Sequence, residues 1–399
     1  MTKRNKKNEN VQIENVQNEN TQMENMENKA TSEKAKTMTK EEKREAFKQK
    51  SKQKFEEIMY ELKNPVRKAV RRRKVGSKLV SILRGFIFFG LSFVIVFPIF
   101  EEISLAFRDP IDLNNKLVNW IPENYSLFNF KISIILLDYW KALFNNTKVS
   151  LISTVCQLIA TSLAGYALSR LKFKGSNLIF WLLMLSLIVP PQAVSLSRSL
   201  YLQSFDLFAF GDHPGLFEKL LGAPLRLKGS GKTIVFYITS LTGQGIRAAL
   251  FIFLFRQFFR GIPVELEESA QIDGAGVVRT FISVMLPNAR GVITTVALFA
   301  FVWQWNDVYY VNMYNVSGDE YPMLTTNLVL MSERVAGLIL QPQYVNIVRE
   351  VGEGIVKNPL FTQTLLNTAA LLIMAPLLIG YLFVQRLFIE GVERSGIVG

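Results

Sequence analysis

Residues 262–287 read IPVELEESAQIDGAGVVRTFISVMLP, a charged passage between two long apolar segments. Because those segments are long enough to cross a membrane, we predict that the passage is a loop on one side of it. Pro263 suits the first position of a helix, where its missing N–H would have no intrahelical partner. Three glutamates follow in the first turn, where negative charge complements the helix dipole: Glu265, Glu267 and Glu268.

Gly274 divides the passage into two predicted helices. The pair Asp273-Gly274 ends the first one, because glycine readily takes the left-handed conformation that a sharp stop requires. A second helix is expected from about Val277 until Pro287, which lacks a backbone N–H and blocks continuation. Two short helices joined at a glycine form a compact knob. Either this knob docks into a groove on a soluble partner, or it is an amphipathic loop packed on its own membrane helices.

The passage resembles the coupling loop of the permease subunits of bacterial ABC importers. The family pattern runs Glu-Ala-Ala, two variable residues, Asp-Gly-Ala and later Leu-Pro, and Leu286 is part of the match. Ser269 replaces the middle alanine, and Arg290 stands where a second proline is common. In this family the first helix lies in a cleft of the ATP-hydrolysing subunit and transmits its closure. The resemblance implies an ATPase-coupling role for Glu268, Ala270, Asp273, Gly274, Ala275 and Pro287.

The 399-residue chain changes character near residue 85, being polar and charged before that point and mostly apolar after it. A hydrocarbon core about 30 Å thick needs roughly 20 apolar residues per helix. Six segments meet that length, at about 85–107, 147–168, 178–198, 233–258, 291–313 and 365–389. We therefore predict an all-α membrane protein with six transmembrane helices. A large soluble helical domain is disfavoured, because such long stretches almost free of charge are typical of membrane spans.

Residues 1–84 are predicted to form an extension in front of a six-span domain at 85–399, whose coupling loop covers 262–290. Residues 1–38 repeat the pair Glu-Asn and cannot bury enough apolar surface to offset chain entropy, so we expect disorder there. Residues 39–84 are expected to be charged, partly helical and strongly basic beside the membrane. A dense basic flank marks the cytoplasmic side, so the net charge of +13 indicates topology and not nucleic-acid binding.

Six spans and a cytoplasmic start place both termini in the cytoplasm. The short connection after the second span contains Arg170, Lys172 and Lys174, as an interior loop should. The knob at 262–290 also falls inside, where ATP is available. The exterior connections, about 108–146, 199–232 and 314–364, are long enough to meet a delivery protein.

Scarcity of reactive side chains weighs against an enzyme. Cys156 is the only cysteine and His213 the only histidine, so neither a disulfide within the chain nor a cysteine metal cluster is expected. The segment Gly229-Ser-Gly-Lys-Thr imitates the end of a phosphate-binding loop. Arg226 stands where that pattern needs a glycine, and the segment lies on the predicted exterior, so we reject nucleotide binding there.

Placing polar side chains inside a membrane costs free energy, so such residues indicate function. The clearest group is Gln304, Trp305, Asn306 and Asp307, which offers hydrogen bonds and an aromatic face to a sugar. Alternatively, these residues form an aromatic belt with hydrogen bonds between helices. A second set lines a translocation path or joins helices by hydrogen bonds: Gln157, Thr161, Ser162, Asn367 and Thr368.

Smaller motifs extend the resemblance over roughly residues 80–399. Residues 166–175, 188–191 and 305–307 are similar to motifs of carbohydrate-uptake permeases, and Pro190-Pro191 is predicted to bend or end its helix. The chain resembles the smaller of two paired permeases in oligosaccharide or glycerol-phosphate importers. This implies the ABC-importer permease fold in the bacterial cell membrane, and no cofactor. The implied partners are a second, different permease, two copies of an ABC ATPase, an extracellular solute-binding protein, a carbohydrate substrate and the lipid bilayer.

The main alternative is a secondary transporter or channel driven by an ion gradient. Such proteins tend to place charged relays inside their spans or to show matched inverted halves. Few ionisable groups besides Glu101, Glu102 and Asp307 lie within the predicted spans, and no repeat is apparent. The sequence therefore favours an ATP-driven importer.

Overall fold

The computed structural model describes residues 45, 48–49, 51–56, 59, 65–114, 121–206, 209, 213 and 215–396. The predicted disorder of residues 1–38 lies outside them. The chain divides into two compact units, Met1–Val96 and Phe97–Gly399. All the predicted site residues lie in the second unit.

The described residues form helices joined by turns, with only two isolated β-bridges. The first half contains α1 (Pro65–Ala106), α2 (Phe128–Leu137), α3 (Tyr139–Arg170), α4 (Ser176–Ser186), α5 (Ser195–Gln203), α6 (Leu216–Leu221), α7 (Ile234–Leu241) and α8 (Ala248–Gly261). The second half contains α9 (Val264–Ile272), α10 (Val277–Thr280), α11 (Leu286–Asn288), α12 (Arg290–Trp305), α13 (Tyr309–Met313), α14 (Leu324–Val329), α15 (Met331–Gly337), α16 (Val345–Val351), α17 (Glu353–Val356) and α18 (Pro359–Gly396).

Three helices are long and apolar enough to cross a membrane: Lys78–Ala106 within α1, all of α3, and Pro359–Arg386 within α18. Two further apolar pairs are bent, α4 with Pro191–Gln203 by 101° and Val277–Asn288 with α12 by 82°. The first bend confirms the break predicted at Pro190-Pro191. The helical membrane fold is thus confirmed, with up to five candidate spans in the described part of the chain. The count of six stays a prediction.

The predicted fourth span is not one continuous helix over 233–258. It consists of α7 and α8, separated by a turn at residues 242–247. Gly243 takes a left-handed φ of +73° in this turn, which ends α7, and Arg247 takes φ +53° immediately before α8. The fifth span also differs, because α12 ends at Trp305 and a separate short helix, α13, follows it.

The two predicted helices of the knob are present, with boundaries that differ from the expectation. Pro263 does not occupy the first helical position but flanks it, and α9 begins at Val264. Pro287 does not stop the second helix, which passes through a π-helical turn at Phe281–Met285 and continues to Asn288. The wider turn accommodates the proline, and the sharp bend falls at Ala289 instead.

The second unit is organised around α3, which packs against α7, α8 and α12. Helix α3 approaches α8 closely at Gly165, where an added Cβ would lie only 2.5 Å from the Cβ of Phe255. Glycine is therefore required for the two backbones to approach. A buried aromatic cluster continues from this contact to the base of the knob. The fold thus joins the knob to the central helix by packed side chains.

Candidate functional site

Gly274 ends α9 in a Schellman motif. In this motif a glycine takes a left-handed conformation after the helix, and two backbone N–H groups donate back to carbonyl oxygens of the last turn. The φ of Gly274 is +79°. Gly274 N donates to the carbonyl oxygen of Gln271 at 3.0 Å, and Ala275 N donates to that of Ala270 at 2.9 Å. The predicted glycine stop between the two helices is therefore present, and backbone hydrogen bonds fix its geometry.

The predicted coupling residues lie on or near the outer face of the knob. Glu268, Asp273 and Gly274 are exposed, while Ala270 and Ala275 are half-buried. Apolar side chains are exposed beside them: Val264, Leu266, Ile272, Val277 and Val278, of which Ile272 is 86% exposed. A group of exposed apolar side chains on a polar loop is typical of a protein-binding surface. We call this face the knob surface.

Glu267 points the other way, into the protein, and fastens α9 to α3. The Tyr166 hydroxyl donates to Glu267 Oε1 at 2.8 Å, and Arg170 Nε lies 3.6 Å from Glu267 Oε2. Arg170 also donates to the carbonyl oxygens of Phe259 and Ile262, at the end of α8. Contacts of Glu267 and Arg170 thus bind α3, α8 and α9 together.

The sequence reading missed this anchor, because it assigned Glu267 only to the helix dipole. A signal was present. Tyr166 and Arg170 are four residues apart, so they share one face at the inner end of α3. Two polar side chains on such a face need partners when they are buried.

Aromatic rings fill the space around the anchor. The Tyr166 ring lies 5.1 Å from that of Phe281 and 5.9 Å from that of Phe259, between ring centroids. Phe255 stacks on Phe259 at 5.9 Å. These residues come from α3, α8 and the π-helical turn, so the knob is packed against the membrane helices on its inner face. Such close packing transmits a displacement rather than absorbing it.

The four predicted substrate-path residues do not face one common space. Trp305 is buried in a hydrophobic cluster, and its carbonyl oxygen accepts a hydrogen bond from Asn146 Nδ2 at 3.2 Å. Asn306 is exposed and donates to the carbonyl oxygen of Val302. Asp307 accepts from the backbone N–H groups of Tyr310 and Val311 at 3.1 and 3.2 Å, which caps α13. A sugar-contact role for these residues stays a prediction.

Gln304, the fourth of them, lines a narrow polar cleft with room for about one water molecule. Arg198 from α5 and the rings of Tyr310 and Tyr314 border it, and its remaining lining comes from α7 and the turn that follows: Phe236, Thr239, Ser240, Gln244, Gly245 and Ile246. The sequence analysis did not select Arg198, which lies at the last position of the predicted third span, 178–198.

Comparison with known proteins agrees with this architecture. Residues 157–394 match the family model described as "Binding-protein-dependent transport system inner membrane component". The chain is 26% identical, over 82% of its length and all of the relative's, to the arabinooligosaccharides transport system permease protein AraQ of Halalkalibacterium halodurans. It is 28% identical, over 52% of its length and 50% of the relative's, to the alpha-glucoside transport system permease protein AglG of Rhizobium meliloti.

Two further similarities are informative. The sn-glycerol-3-phosphate transport system permease protein UgpE of Yersinia enterocolitica is 28% identical over 49% of the chain and 56% of the relative. Among solved structures, a bacterial ABC transporter involved in the import of the acidic polysaccharide alginate superposes with a TM-score of 0.58, at 15% identity over 78% of this chain and 97% of the other. The latter similarity concerns the fold alone.

Proposed function

The chain belongs to the family of binding-protein-dependent transport system inner membrane components, and we propose that within it the chain is the permease subunit of an ATP-driven ABC importer. In this proposal the chain forms half of the translocation path in the bacterial cell membrane, and a second, different permease forms the other half. Both termini are cytoplasmic. ATP hydrolysis belongs to two copies of a partner ATPase, and an extracellular solute-binding protein delivers the substrate.

The anchored knob carries this proposal. Its outer face exposes apolar side chains, and its inner face is fixed to α3 and α8 through Glu267 and Arg170. A partner that grips the outer face would therefore move the membrane helices with it. Nucleotide can favour one arrangement of the helices only if it makes unequal contacts in the two arrangements. An ATPase that closes around the knob surface meets that condition.

We propose an oligosaccharide or a related carbohydrate as the substrate. The support comes from the relatives, whose names refer to arabinooligosaccharides, alpha-glucosides and sn-glycerol-3-phosphate. A secondary transporter driven by an ion gradient remains the competing class.

Uptake into proteoliposomes separates the two classes. We expect the assembled complex, supplied with its delivery protein outside and ATP inside, to accumulate a radiolabelled arabino- or gluco-oligosaccharide. Uptake should fall to background without ATP and should be unaffected by a protonophore, because the energy comes from the ATPase. Accumulation without ATP that collapses with the protonophore would instead identify an ion-coupled transporter.

A further inference from the structure

The turn between α7 and α8 interrupts a predicted membrane span, and irregular backbone at membrane depth is tolerated only when it is buried in protein or lines a water-filled cavity. Two side chains hold its carbonyl groups. Gln157 Nε2, from α3, donates to the oxygen of Ile246 at 2.7 Å. Arg198 Nη2, from α5, donates to the oxygen of Gln244 at 2.9 Å. Side chains of α3 and α5 therefore satisfy two carbonyl groups of this turn, which borders the polar cleft.

Gly245 shows how tightly this turn is packed. A Cβ added there would lie 3.1 Å from both Gln157 Cδ and Ser240 Oγ. These contacts are closer than ordinary van der Waals separations, so the turn approaches α3 as a glycine backbone only. This packing fixes the position of the turn along the edge of the cleft.

Hydrogen-bond donors are left without partners at this cleft. Gln304 Nε2, on a residue only 3% exposed, has no hydrogen-bond partner among the described residues. The same is true of the Tyr314 hydroxyl and of Arg198 Nε. Buried polar groups are normally satisfied, so such a cluster calls for a ligand or water. Arg198 Nε and Gln304 Nε2 can only donate hydrogen bonds, and the Tyr314 hydroxyl can donate one as well. The group that would satisfy all three is therefore a hydrogen-bond acceptor.

Charge defines the acceptor further. Arg198 is the charged residue of the cleft lining, which includes no carboxylate. Its guanidinium carbon lies 5.3 and 5.7 Å from the ring centroids of Tyr310 and Tyr314, so the two rings hold it in place. The nearby carboxylate of Asp307 is already bound by backbone N–H groups at the start of α13. A fixed cation without a carboxylate partner in the cleft favours an oxyanion.

We propose that this cleft is a subsite for one oxyanion group, a carboxylate or a phosphate, that projects from a sugar substrate. The cleft is narrow and has room for one oxygen atom of that group, so the rest of the substrate is held elsewhere in the translocation path. The inference rests on the proposed function, because it takes the anion to be part of the transported solute. It makes this subunit, through Arg198 and Gln304, a determinant of specificity for acidic sugars.

Equilibrium binding to the purified complex, without ATP or delivery protein, tests the subsite. The probes are radiolabelled glucuronate, inorganic phosphate and glucose at constant ionic strength. We expect at least one anion to bind more tightly than glucose. Arg198→Gln should weaken that binding by about tenfold or more, since a charge-assisted hydrogen bond is lost. Preference for glucuronate would identify a carboxylate substrate, and preference for phosphate a phosphorylated one.

Arg247→Gln is the matched control. Arg247 adjoins the same turn and lies over the Trp303 ring at 5.0 Å, but it does not line the cleft. Its replacement should leave anion binding unchanged. Should Arg198→Gln fail to assemble, Gln304→Leu removes the unpartnered donor at similar size and should also weaken anion binding by severalfold.

Three results would contradict the proposed subsite. They are no binding of either anion, a loss of anion binding in Arg247→Gln equal to that in Arg198→Gln, and equal affinity for glucose and the anions. None of these depends on transport. Failure of the subsite with intact ATP-dependent uptake would leave the proposed function standing, whereas ion-driven uptake would remove the function itself.

Discussion

The Gly274→Val variant is expected to reach the membrane and assemble, but to lose substrate-stimulated ATP hydrolysis. Gly274 has φ +79°, a conformation that a β-branched residue adopts only with strain of about 1–3 kcal/mol. Space is not the obstacle, because a Cβ at Gly274 would meet nothing within 4 Å. The strain would be relieved by opening the two hydrogen bonds at the hinge, which changes the angle between α9 and α10. The ATPase activity of the reconstituted complex, with and without loaded delivery protein, measures the effect.

Gly276 provides a control two residues away. A Cβ there also meets nothing within 4 Å, but its backbone is extended, with φ −72° and ψ 169°. Gly276→Val should therefore keep its stimulation. Gly274→Asn should retain more activity than Gly274→Val, because asparagine tolerates the left-handed conformation. Wild-type stimulation in Gly274→Val would remove the hinge from the coupling mechanism.

Glu267→Ala is expected to detach the knob from α3 and uncouple the complex. The variant leaves Arg170 and the Tyr166 hydroxyl without their acidic partner in a region where both side chains of the ion pair are largely buried. Breaking a buried pair by removing one partner costs about 3–5 kcal/mol. We expect stimulated ATP hydrolysis to fall to the basal rate. Limited trypsin digestion should also cleave faster after Arg260 and Arg279, which flank α9 and are exposed.

Two variants separate the anchor from general effects of charge. Glu268→Ala removes an exposed acid from the adjacent position and should leave digestion at wild-type rates. Glu267→Gln keeps an acceptor for the Tyr166 hydroxyl and should lie between the wild type and Glu267→Ala. Digestion of Glu267→Ala at the wild-type rate, with normal stimulation, would show that the knob does not depend on this contact.

The two helices of the knob could be predicted from the sequence, because their signals lie in neighbouring residues. Its stop at Asp273-Gly274 depends on one residue that can adopt a left-handed φ, and its acidic first turn depends on the dipole of its own helix. Both are properties of neighbours in the chain. The bend at Pro190-Pro191 was predictable for the same reason, because proline acts on its own helix.

Features that depend on contacts between residues far apart in the sequence could not be predicted. The sequence on both sides of the turn at 242–247 is apolar, which suits one continuous helix. The turn is held by Gln157 and Arg198, which are 89 and 46 residues away from their bonded carbonyl groups. The role of Glu267 likewise depends on Tyr166, 101 residues earlier. The hydrogen bonds that Asp307 accepts from the N–H groups at the start of α13 were likewise not predicted.

Cross-linking at Ala270 tests most directly whether the knob docks on an ATPase. Cys156 is the only cysteine in the chain, so Ala270→Cys in a Cys156→Ser background carries a single thiol. With a short bifunctional reagent, the intact complex should yield a covalent adduct with the ATPase subunit, and its yield should change when ATP is added. An intact complex that forms no such adduct, or labelling of this thiol from the outer side of the membrane, would contradict the account.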